Sequence, residues 1–231
     1  MRVELQDVGV ELGGRTLVRG ADLVCEPGRL TVIVGHSGTG LTTLLKVAAG
    51  LHAPTRGRVV HDGDDLGALA GDARRRQQAR TGFVFQDAAL WANQSLRANL
   101  ELPLQATDPR LPENARRERI DAALAACSWS PLLAARPVTL SRGEQQLLGY
   151  LRAVLPRPDA LFLDEPFALL DHHWRDCLVA DLARQRDRGV TLLMTCRDRD
   201  RAHALGDVVV ELTGGGLRAA TTASQREGGA P

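Results

Sequence analysis

The stretch Val32 to Leu45, VIVGHSGTGLTTLL, joins an apolar run to a glycine-rich turn and the start of a helical pattern. It follows the phosphate-binding spacing G-x-x-x-x-G-K-[ST], with Gly35 and Gly40 in register and Thr42 where a metal-binding hydroxyl belongs. The position that should be lysine is Leu41. Backbone N–H groups and the positive end of a helix can still hold an anion. The stretch therefore predicts an anion-binding loop that lacks the usual lysine charge. The alternative is a glycine-rich turn before a helix with no ligand.

Strand and helix patterns alternate on both sides of this stretch. Val3 to Leu12 and Ala21 to Cys25 alternate like antiparallel strands, with a turn at Gly13-Gly14. Further strands are predicted at LTVIVG, GRVVHDGDDL, TGFVFQD, ALFLDEP, GVTLLMTC and DVVVEL, and helices at residues 41–50 and His173 to Arg188. This order predicts an α/β fold with a mainly parallel sheet flanked by helices and ligands at the carboxyl ends of its strands.

Residues 87–158 differ in character from the rest of the chain. Leu, Ala and Arg recur there with helical spacing, which predicts a helical subdomain inserted in one α/β domain over residues 1–220. The small, polar residues 221–231 are predicted to be a disordered tail. The predicted breaks in this helical region are Pro103, Pro109, Pro112, Pro131 and Pro137.

The composition is that of an ordinary globular protein, with 44% hydrophobic and 25% charged residues and a net charge of +1. Such a balance gives no reason to expect binding to nucleic acid or to anionic lipid. The four cysteines, Cys25, Cys127, Cys177 and Cys196, are far apart in sequence, which predicts reduced thiols and neither a zinc site nor a disulfide framework. No apolar run reaches the roughly 18–20 residues that a membrane span requires.

Two more motifs carry candidate chemistry. ALFLDEP is an apolar strand ending in Asp164, which could hold Mg²⁺, and Glu165, which could polarise an attacking water. LSRGEQQ begins a helix, where Ser141 and Gly143 would offer a hydroxyl and bare backbone to an anion. The alternatives are two acids that end a strand at a polar turn, and an ordinary helix cap made by Ser141 and Glu144.

Taken in order, the glycine loop, FVFQD, LSRGEQQ, LFLDEP and FALLD resemble the nucleotide-binding subunit of ABC (ATP-binding cassette) transporters, from Met1 to about Arg218. The resemblance implies a P-loop NTPase fold and a head-to-tail dimer. In such a dimer, ATP and Mg²⁺ lie between one subunit's glycine loop and the other's serine-glycine signature. It also implies transmembrane permease partners, no nucleic-acid partner, and a cytoplasmic, peripheral location on the inner face of the cell membrane.

The resemblance assigns roles to individual residues. Glu165, Gln86 and Cys196 take the catalytic positions, and Thr42, Gln86 and Asp164 the metal positions. The nucleotide-binding positions are Leu12, Gly35, His36, Ser37, Gly38, Thr39, Gly40, Leu41, Thr42, Thr43, Ser141, Gly143 and Asp171, where Asp171 is the acid that crosses the dimer interface.

The chain departs from the family pattern mainly in its own loop. Leu41 replaces the lysine that pairs with the β- and γ-phosphates, Cys196 replaces a histidine that contacts the γ-phosphate, and Leu12 replaces an aromatic that stacks on adenine. Lys46 is predicted to point away from the loop, about 140° around the helix from Leu41. The groups offered to a partner, Ser141, Gly143 and Asp171, are kept, although Arg142 and Glu144 replace glycine and glutamine of the usual signature. This pattern predicts a weakened ATPase that favours a heterodimer, with a homodimer as the alternative.

The segment DAALWANQSLRANLELPL after Gln86 faces the coupling helices of the membrane subunits in this family. Its spacing resembles ATPases of Mce-type phospholipid transport and, less closely, of lipoprotein release, which suggests a lipid substrate. The alternative is that Trp91, Leu96 and Leu100 are core contacts of the helical region. For the whole protein, the rival hypotheses are a non-catalytic subunit that pairs with an active ATPase and an ABC ATPase with no membrane partner. An ABC ATPase with no membrane partner usually carries two cassettes or a long coiled-coil insertion, which 231 residues do not accommodate.

Overall fold

The structure is a computed structural model that describes residues 1–219. The predicted tail, 221–231, lies outside the described residues. The strands are β1 Val3–Leu12, β2 Arg15–Cys25, β3 Leu30–Val34, β4 Arg56–His61, β5 Asp64–Asp65, β6 Thr81–Val84, β7 Ala160–Asp164, β8 Thr191–Cys196, β9 Val208–Thr213 and β10 Gly216–Ala219. The helices are α1 Leu41–Ala48, α2 Gly71–Ala79, α3 Leu96–Thr107, α4 Glu113–Ala126, α5 Arg142–Val154, α6 His172–Asp187 and α7 Arg199–Leu205.

The chain forms two compact units, of which unit 1 is Met1–Leu69 together with the chain from Thr191 onward. One sheet of unit 1 is antiparallel, with the strand order β2-β1-β4-β5. In the other sheet, β3 pairs in parallel with β8 on one side and β9 on the other, and β10 runs antiparallel to β9. Every residue of β3 and β8 is buried, as expected of parallel strands covered on both faces. The predicted antiparallel N-terminal strands and parallel sheet are confirmed.

Unit 2, Ala70–Val190, holds the predicted helical region. Helices α3, α4 and α5 lie within residues 87–158, and α5 packs against both α3 and β6. β6 and β7 are parallel, with Val84 opposite Leu163. Among residues 1–219 no helix is long and apolar enough to cross a membrane.

Three features of unit 2 differ from the sequence predictions. Helix α2 was not predicted, because its sequence GDARRRQQA buries only Gln77 and so carries no apolar period. Contrary to the prediction, Pro103 does not end a helix but lies inside α3. Its ring removes one backbone hydrogen-bond donor, and the helix continues.

The third difference concerns the cysteines. Cys127 and Cys177 form a disulfide with their Cα atoms 5.6 Å apart, so the prediction of four reduced thiols was wrong for this pair. Their 50-residue separation hid the contact, since spacing arguments detect only ligands or thiols that are close in sequence. Cys25 and Cys196 are buried and take no part in this disulfide, and burial raises the pKa of the Cys25 thiol to about 12.

Candidate nucleotide site

The glycine loop, Gly35–Thr43, ends at a helix whose positive end carries no side-chain cap. Gly38 and Gly40 have φ of 79° and 98°, in the left-handed region that favours glycine. Thr39 steadies the turn, since its hydroxyl donates to the His36 carbonyl at 2.7 Å. Gly40 caps α1 without a side-chain hydrogen bond, and no acid occupies the first turn of the helix. The loop therefore ends at a helix N-terminus whose field favours an anion.

Leu41 fills the position of the missing lysine with apolar bulk. Its side chain is buried, with 7% exposure, and its Cδ2 lies 3.3 Å from the point where a Cβ on Gly35 would stand. The leucine thus lies against the start of the loop. Lys46 is in the last turn of α1, at the opposite end of the helix, where a cation is favoured by the dipole.

Cys196 lies beside the glycine loop. It is the last residue of β8 and the register partner of Val34, which directly precedes Gly35. The side chain is buried and its thiol donates to the Asp198 carbonyl at 3.3 Å. Unit 1 therefore brings together the loop and the residue predicted to stand in for the γ-phosphate histidine, but the thiol hydrogen is directed at the chain itself.

The hairpin of β1 and β2 supplies the apolar side chains near the loop. Gly13 and Gly14 make its turn with positive φ, as predicted. Leu12, at the end of β1, is 66% exposed. Leu17 in β2 was missed by the sequence reasoning. Its Cβ lies 3.1 Å from the position of a Cβ on Gly40, so it touches the loop directly.

The acidic motif of unit 2 ends a fully buried strand. Asp164 is buried at the end of β7, and Glu165 follows with φ of 47°, half-buried. Gln86 is exposed, two residues beyond the end of the neighbouring parallel strand β6. Since Val84 is opposite Leu163, Gln86 and the two acids follow strands that end at the same edge.

The donor set suits Mg²⁺ better than a transition metal. No group of three or more His, Cys, Asp or Glu side chains that could hold a metal ion occurs in the described part of the chain. Mg²⁺ bound with nucleotide typically takes one or two carboxylates and completes its shell with phosphate oxygens and water. Within unit 2, the buried Asp164 carboxylate and the Gln86 amide, which follows the neighbouring strand, are donors of this kind.

The signature helix α5 begins with the predicted capping box. The backbone N–H of Ser141 donates to Glu144 Oε2 at 2.7 Å, and the backbone N–H of Glu144 donates to Ser141 Oγ at 3.3 Å. These bonds hold the pKa of Glu144 below its usual value, so the box is intact at neutral pH and is lost as the pH falls through that pKa. Ser141 can therefore serve both as a helix cap and as a donor to an anion, because the hydroxyl oxygen accepts the capping bond and the hydroxyl proton stays available. Arg142, the first helical residue, is exposed.

The groups predicted to face a partner lie together. A Cβ on Gly143 would stand 3.0 Å from the Leu169 carbonyl oxygen and 3.6 Å from the ring of Trp174. Asp171 caps α6, where its Oδ1 accepts the backbone N–H of Trp174 at 3.0 Å. The start of α5 therefore packs against the segment that ends in Asp171.

Helix α5 also clamps the loop that carries Gln86. Arg152 donates to the Ala88 and Ala89 carbonyls at 2.9 and 2.8 Å, and both alanines have positive φ. Gln146 Nε2 donates to the Phe85 carbonyl at 3.2 Å. Gly149 lies between Gln146 and Arg152 on the helix. A side chain at this position would crowd Ala88, so glycine allows the loop to pack closely against α5. Sequence reasoning missed this clamp, although its three residues recur at intervals of three.

A groove of about 600 Å³ lies beside the clamp. Its lining includes Phe83, Phe85, Trp91 and Arg152. The Arg152 guanidinium lies 5.0 Å from the centre of the Trp91 ring, which is a cation–π distance. The fully buried Asn99 amide bonds the backbone N–H and C=O of Trp91. The loop after β6, which forms one side of this groove, is therefore held by hydrogen bonds from the Asn99 and Arg152 side chains and not by strand pairing.

A sequence model of a known family covers most of these motifs. The family described as ABC transporter matches residues 18–168. The chain belongs to the ABC transporter family.

Curated members of the family are about a third identical to this ABC cassette over the matched residues. A methionine import ATP-binding protein of Rhodococcus jostii is 33% identical over 87% of this chain and 58% of its own length. A sulfate/thiosulfate import ATP-binding protein of Caulobacter vibrioides is 33% identical over 97% of this chain and 66% of its own length. The chain therefore spans less than two thirds of the length of these relatives.

Solved ABC cassettes have the same fold. A dimeric structure of the cassette MJ0796 bound to ADP and Pi has a TM-score of 0.86 and 25% identity, and the match covers 95% of this chain and 99% of that one. A structure described as the ATP-binding subunit of an ABC transporter has the same TM-score at 23% identity, which supports the fold alone. The predicted P-loop NTPase fold of the ABC cassette is confirmed.

The Arg152 clamp can be tested by stability. Arg152→Met keeps most of the packing volume but leaves the Ala88 and Ala89 carbonyls without their charged donor, a loss of about 2–3 kcal/mol. We expect the melting temperature to fall by about 5–10 °C, with faster amide hydrogen exchange in residues 85–91. Arg152→Lys should fall between wild type and Arg152→Met, because an ammonium group cannot reproduce the planar fork.

The matched control for this experiment is Arg117→Met, which removes an exposed arginine of α4. It should leave both measurements unchanged. Equal losses in Arg117→Met and Arg152→Met, or unchanged exchange in residues 85–91 of Arg152→Met, would contradict the clamp.

Proposed function

We propose that the chain is the cytoplasmic, membrane-peripheral ATP-binding subunit of an ABC transporter, and that it works as the weak half of an asymmetric pair of ATPases. The observation that carries the nucleotide assignment is the uncapped N-terminus of α1 behind two left-handed glycines. Backbone N–H groups in such a turn grip polyphosphate oxygens through geometry and the helix dipole. The relatives named above support the same role.

The loop would hold the nucleotide with less energy than a complete one. Residues 35–43 would bind the phosphates, and Leu12 with Leu17 would pack against the base. The residues that would hold Mg²⁺ are Thr42, Gln86 and Asp164. Mg²⁺ supplies charge neutralisation at the phosphates when bound. Glu165 would orient and polarise the attacking water. Cys196 stands where a histidine would act, but a thiol is only a weak donor and this one already donates to the Asp198 carbonyl. A lost charge-assisted hydrogen bond at position 41 weakens binding by about 1.5–3 kcal/mol.

The signature side of the chain supports an active partner. Ser141, Gly143 and Asp171 lie together and keep the groups that the family offers across the dimer. In a heterodimer, these groups would complete the site built on the partner's glycine loop. A homodimer would instead contain two sites with Leu41, so the unequal losses favour the heterodimer.

The groove beside the clamp is the proposed seat of the permease. It combines exposed aromatic surface at Trp91 with the Arg152 clamp, so a helix docked there would press on the loop of Gln86 and on α5. Movement of a permease helix would then shift α5, which carries Arg152 near one end and the signature residue Ser141 as its N-cap at the other. This path connects transport to nucleotide binding within unit 2.

The transported substrate has two candidate classes. The names of the relatives support import of a small polar solute such as methionine or sulfate. The lipid class was predicted from the spacing around residues 91–104. Leu96 and Leu100 are fully buried, as the core alternative predicts, whereas Trp91 is 43% exposed, so the lipid class depends on that spacing alone.

A second candidate function is a non-catalytic subunit that serves only as a dimerisation partner. The buried Leu41 side chain against Gly35 favours this candidate, because apolar bulk occupies the loop. Calorimetric titration with Mg-ATP, followed by light scattering, separates the two. We expect binding in the millimolar to high micromolar range and nucleotide-promoted association with the partner ATPase. Association that is independent of nucleotide, with no heat of binding, would support the non-catalytic subunit instead.

A further inference from the structure

The disulfide between Cys127 and Cys177 joins two helices that flank the signature. Cys127 directly follows α4, and Cys177 lies in the second turn of α6, whose N-cap is Asp171. We propose that this pair is a reversible redox switch, modified by thiol–disulfide exchange, that sets the position of the signature turn. Its biological meaning rests on the proposed function, whereas the exchange chemistry and its effect on α5 do not.

Two tryptophans, Trp129 near Cys127 and Trp174 near Cys177, connect the disulfide to the start of α5 by two routes. On the α4 side, Trp129 follows Cys127 by two residues, and its indole lies close enough to the Glu144 carboxylate of the capping box to help lower the pKa of that carboxyl. On the α6 side, Trp174 precedes Cys177 by three residues and its ring lies against Gly143.

The two routes also contact each other. The rings of Trp129 and Trp174 meet edge to face with their centres 6.0 Å apart. The ring of His173 lies 3.3 Å from the Cys127 carbonyl oxygen. Because the disulfide fixes the spacing of these residues, its opening loosens both supports of the Ser141–Glu144 turn together.

Access to the bond is one-sided. Cys127 is 3% exposed, whereas Cys177 is partly exposed. A thiolate of a dithiol reductant attacks the Cys177 sulfur, the bond to Cys127 breaks, and the Cys127 sulfur leaves as a thiolate and takes a proton. The second thiol of the reductant then attacks the mixed disulfide and releases Cys177. The chain gains two electrons and two protons, and the dithiol becomes a disulfide.

Thiol–disulfide exchange is reversible wherever the bond can be reached, and the proposed cytoplasmic location supplies the reductants. Dithiol reductants keep cytosolic thiols reduced, so a disulfide in that compartment is transient and responds to oxidation. Re-formation needs a small-molecule disulfide such as oxidised glutathione, which accepts the two electrons and leaves as two thiols. The oxidised state supports the signature turn and the reduced state releases it.

The test uses the full chain in glutathione buffers of varied ratio. Acid quenching, followed by alkylation of the denatured protein and mass spectrometry, should show Cys127 and Cys177 converting together and reversibly over that range. Reduction should lower the melting temperature by about 5–10 °C and should speed amide exchange of residues 141–146. The double variant Cys127→Ala/Cys177→Ala should match the reduced protein and be insensitive to glutathione. The matched control is Cys25→Ala, which removes a buried free thiol in unit 1 and should keep the full redox response.

Each negative result has a distinct meaning. A pair that stays oxidised in fully reduced glutathione, or never oxidises, overturns the switch. So does a pair that converts while exchange at residues 141–146 stays constant. None of these readouts involves nucleotide. If Mg-ATP fails to promote association in either redox state, the proposed function fails while the switch stands.

Discussion

Replacing Leu41 by lysine is expected to tighten Mg-ATP binding by about one to two powers of ten. The loop already supplies two left-handed glycines and the uncapped start of α1, so the added ammonium group needs no new backbone geometry. Lysine also removes apolar bulk from beside Gly35, where Leu41 Cδ2 now lies. Calorimetric titration of the purified chain measures the change.

The control for this substitution is Leu41→Met, which introduces an unbranched side chain like that of lysine but without charge. It should bind Mg-ATP as weakly as the wild type. If Leu41→Met gains as much affinity as Leu41→Lys, the obstacle is the shape of leucine rather than the missing charge. If neither variant gains affinity, the glycine loop does not hold phosphate and the nucleotide assignment is wrong.

The elements around the glycine loop could be predicted because local rules decide them. The buried apolar run of β3 is followed by glycine and that of β7 ends in two adjacent acids, and these residue types are disfavoured in strands. The Gly13–Gly14 turn follows from two residues that accept positive φ. The capping box at Ser141 is equally local, since both partners lie within one helical turn. Sequence alone therefore placed the loop, the acids and the signature on the right elements.

The features that sequence missed depend on tertiary contacts. Arg152 and Gln146 look like surface residues of an amphipathic helix, yet both are buried because the loop after β6 brings its carbonyls to them. Burial lowers the pKa of the Arg152 guanidinium, and the nearby Asp87 opposes that shift. The disulfide likewise joins residues 50 positions apart.

Pro103 shows that a local rule can also fail. The proline removes one donor in α3, but the helix continues because Leu100 and Leu104 on either side are buried in the helical region. Packing therefore outweighs the local preference. No pattern of spacing in one sequence contains this information.

In the assembled transporter, Ser141→Ala is expected to lower ATP turnover by about two powers of ten, which is the usual effect of removing one donor to transition-state charge. Glu165→Gln in the same chain should lower turnover only slightly. The reason is that Ser141 is proposed to complete the site on the partner's loop, whereas Glu165 serves the loop that contains Leu41. The measurement is phosphate release by the complex of both ATPases with the permease.

Loss of the helix cap must be separated from loss of the proposed phosphate contact. Ser141 Oγ accepts the backbone N–H of Glu144, so alanine also costs about 1 kcal/mol of helix stability. Ser95→Ala is the matched control, because Ser95 Oγ caps α3 in the same way by accepting the backbone N–H of Ala98 at 3.1 Å. It should destabilise the chain to a similar extent and leave turnover of the folded complex unchanged. A complex inactivated by Glu165→Gln but not by Ser141→Ala would mean that this chain's own loop carries the reaction, because only a working loop depends on its own carboxylate.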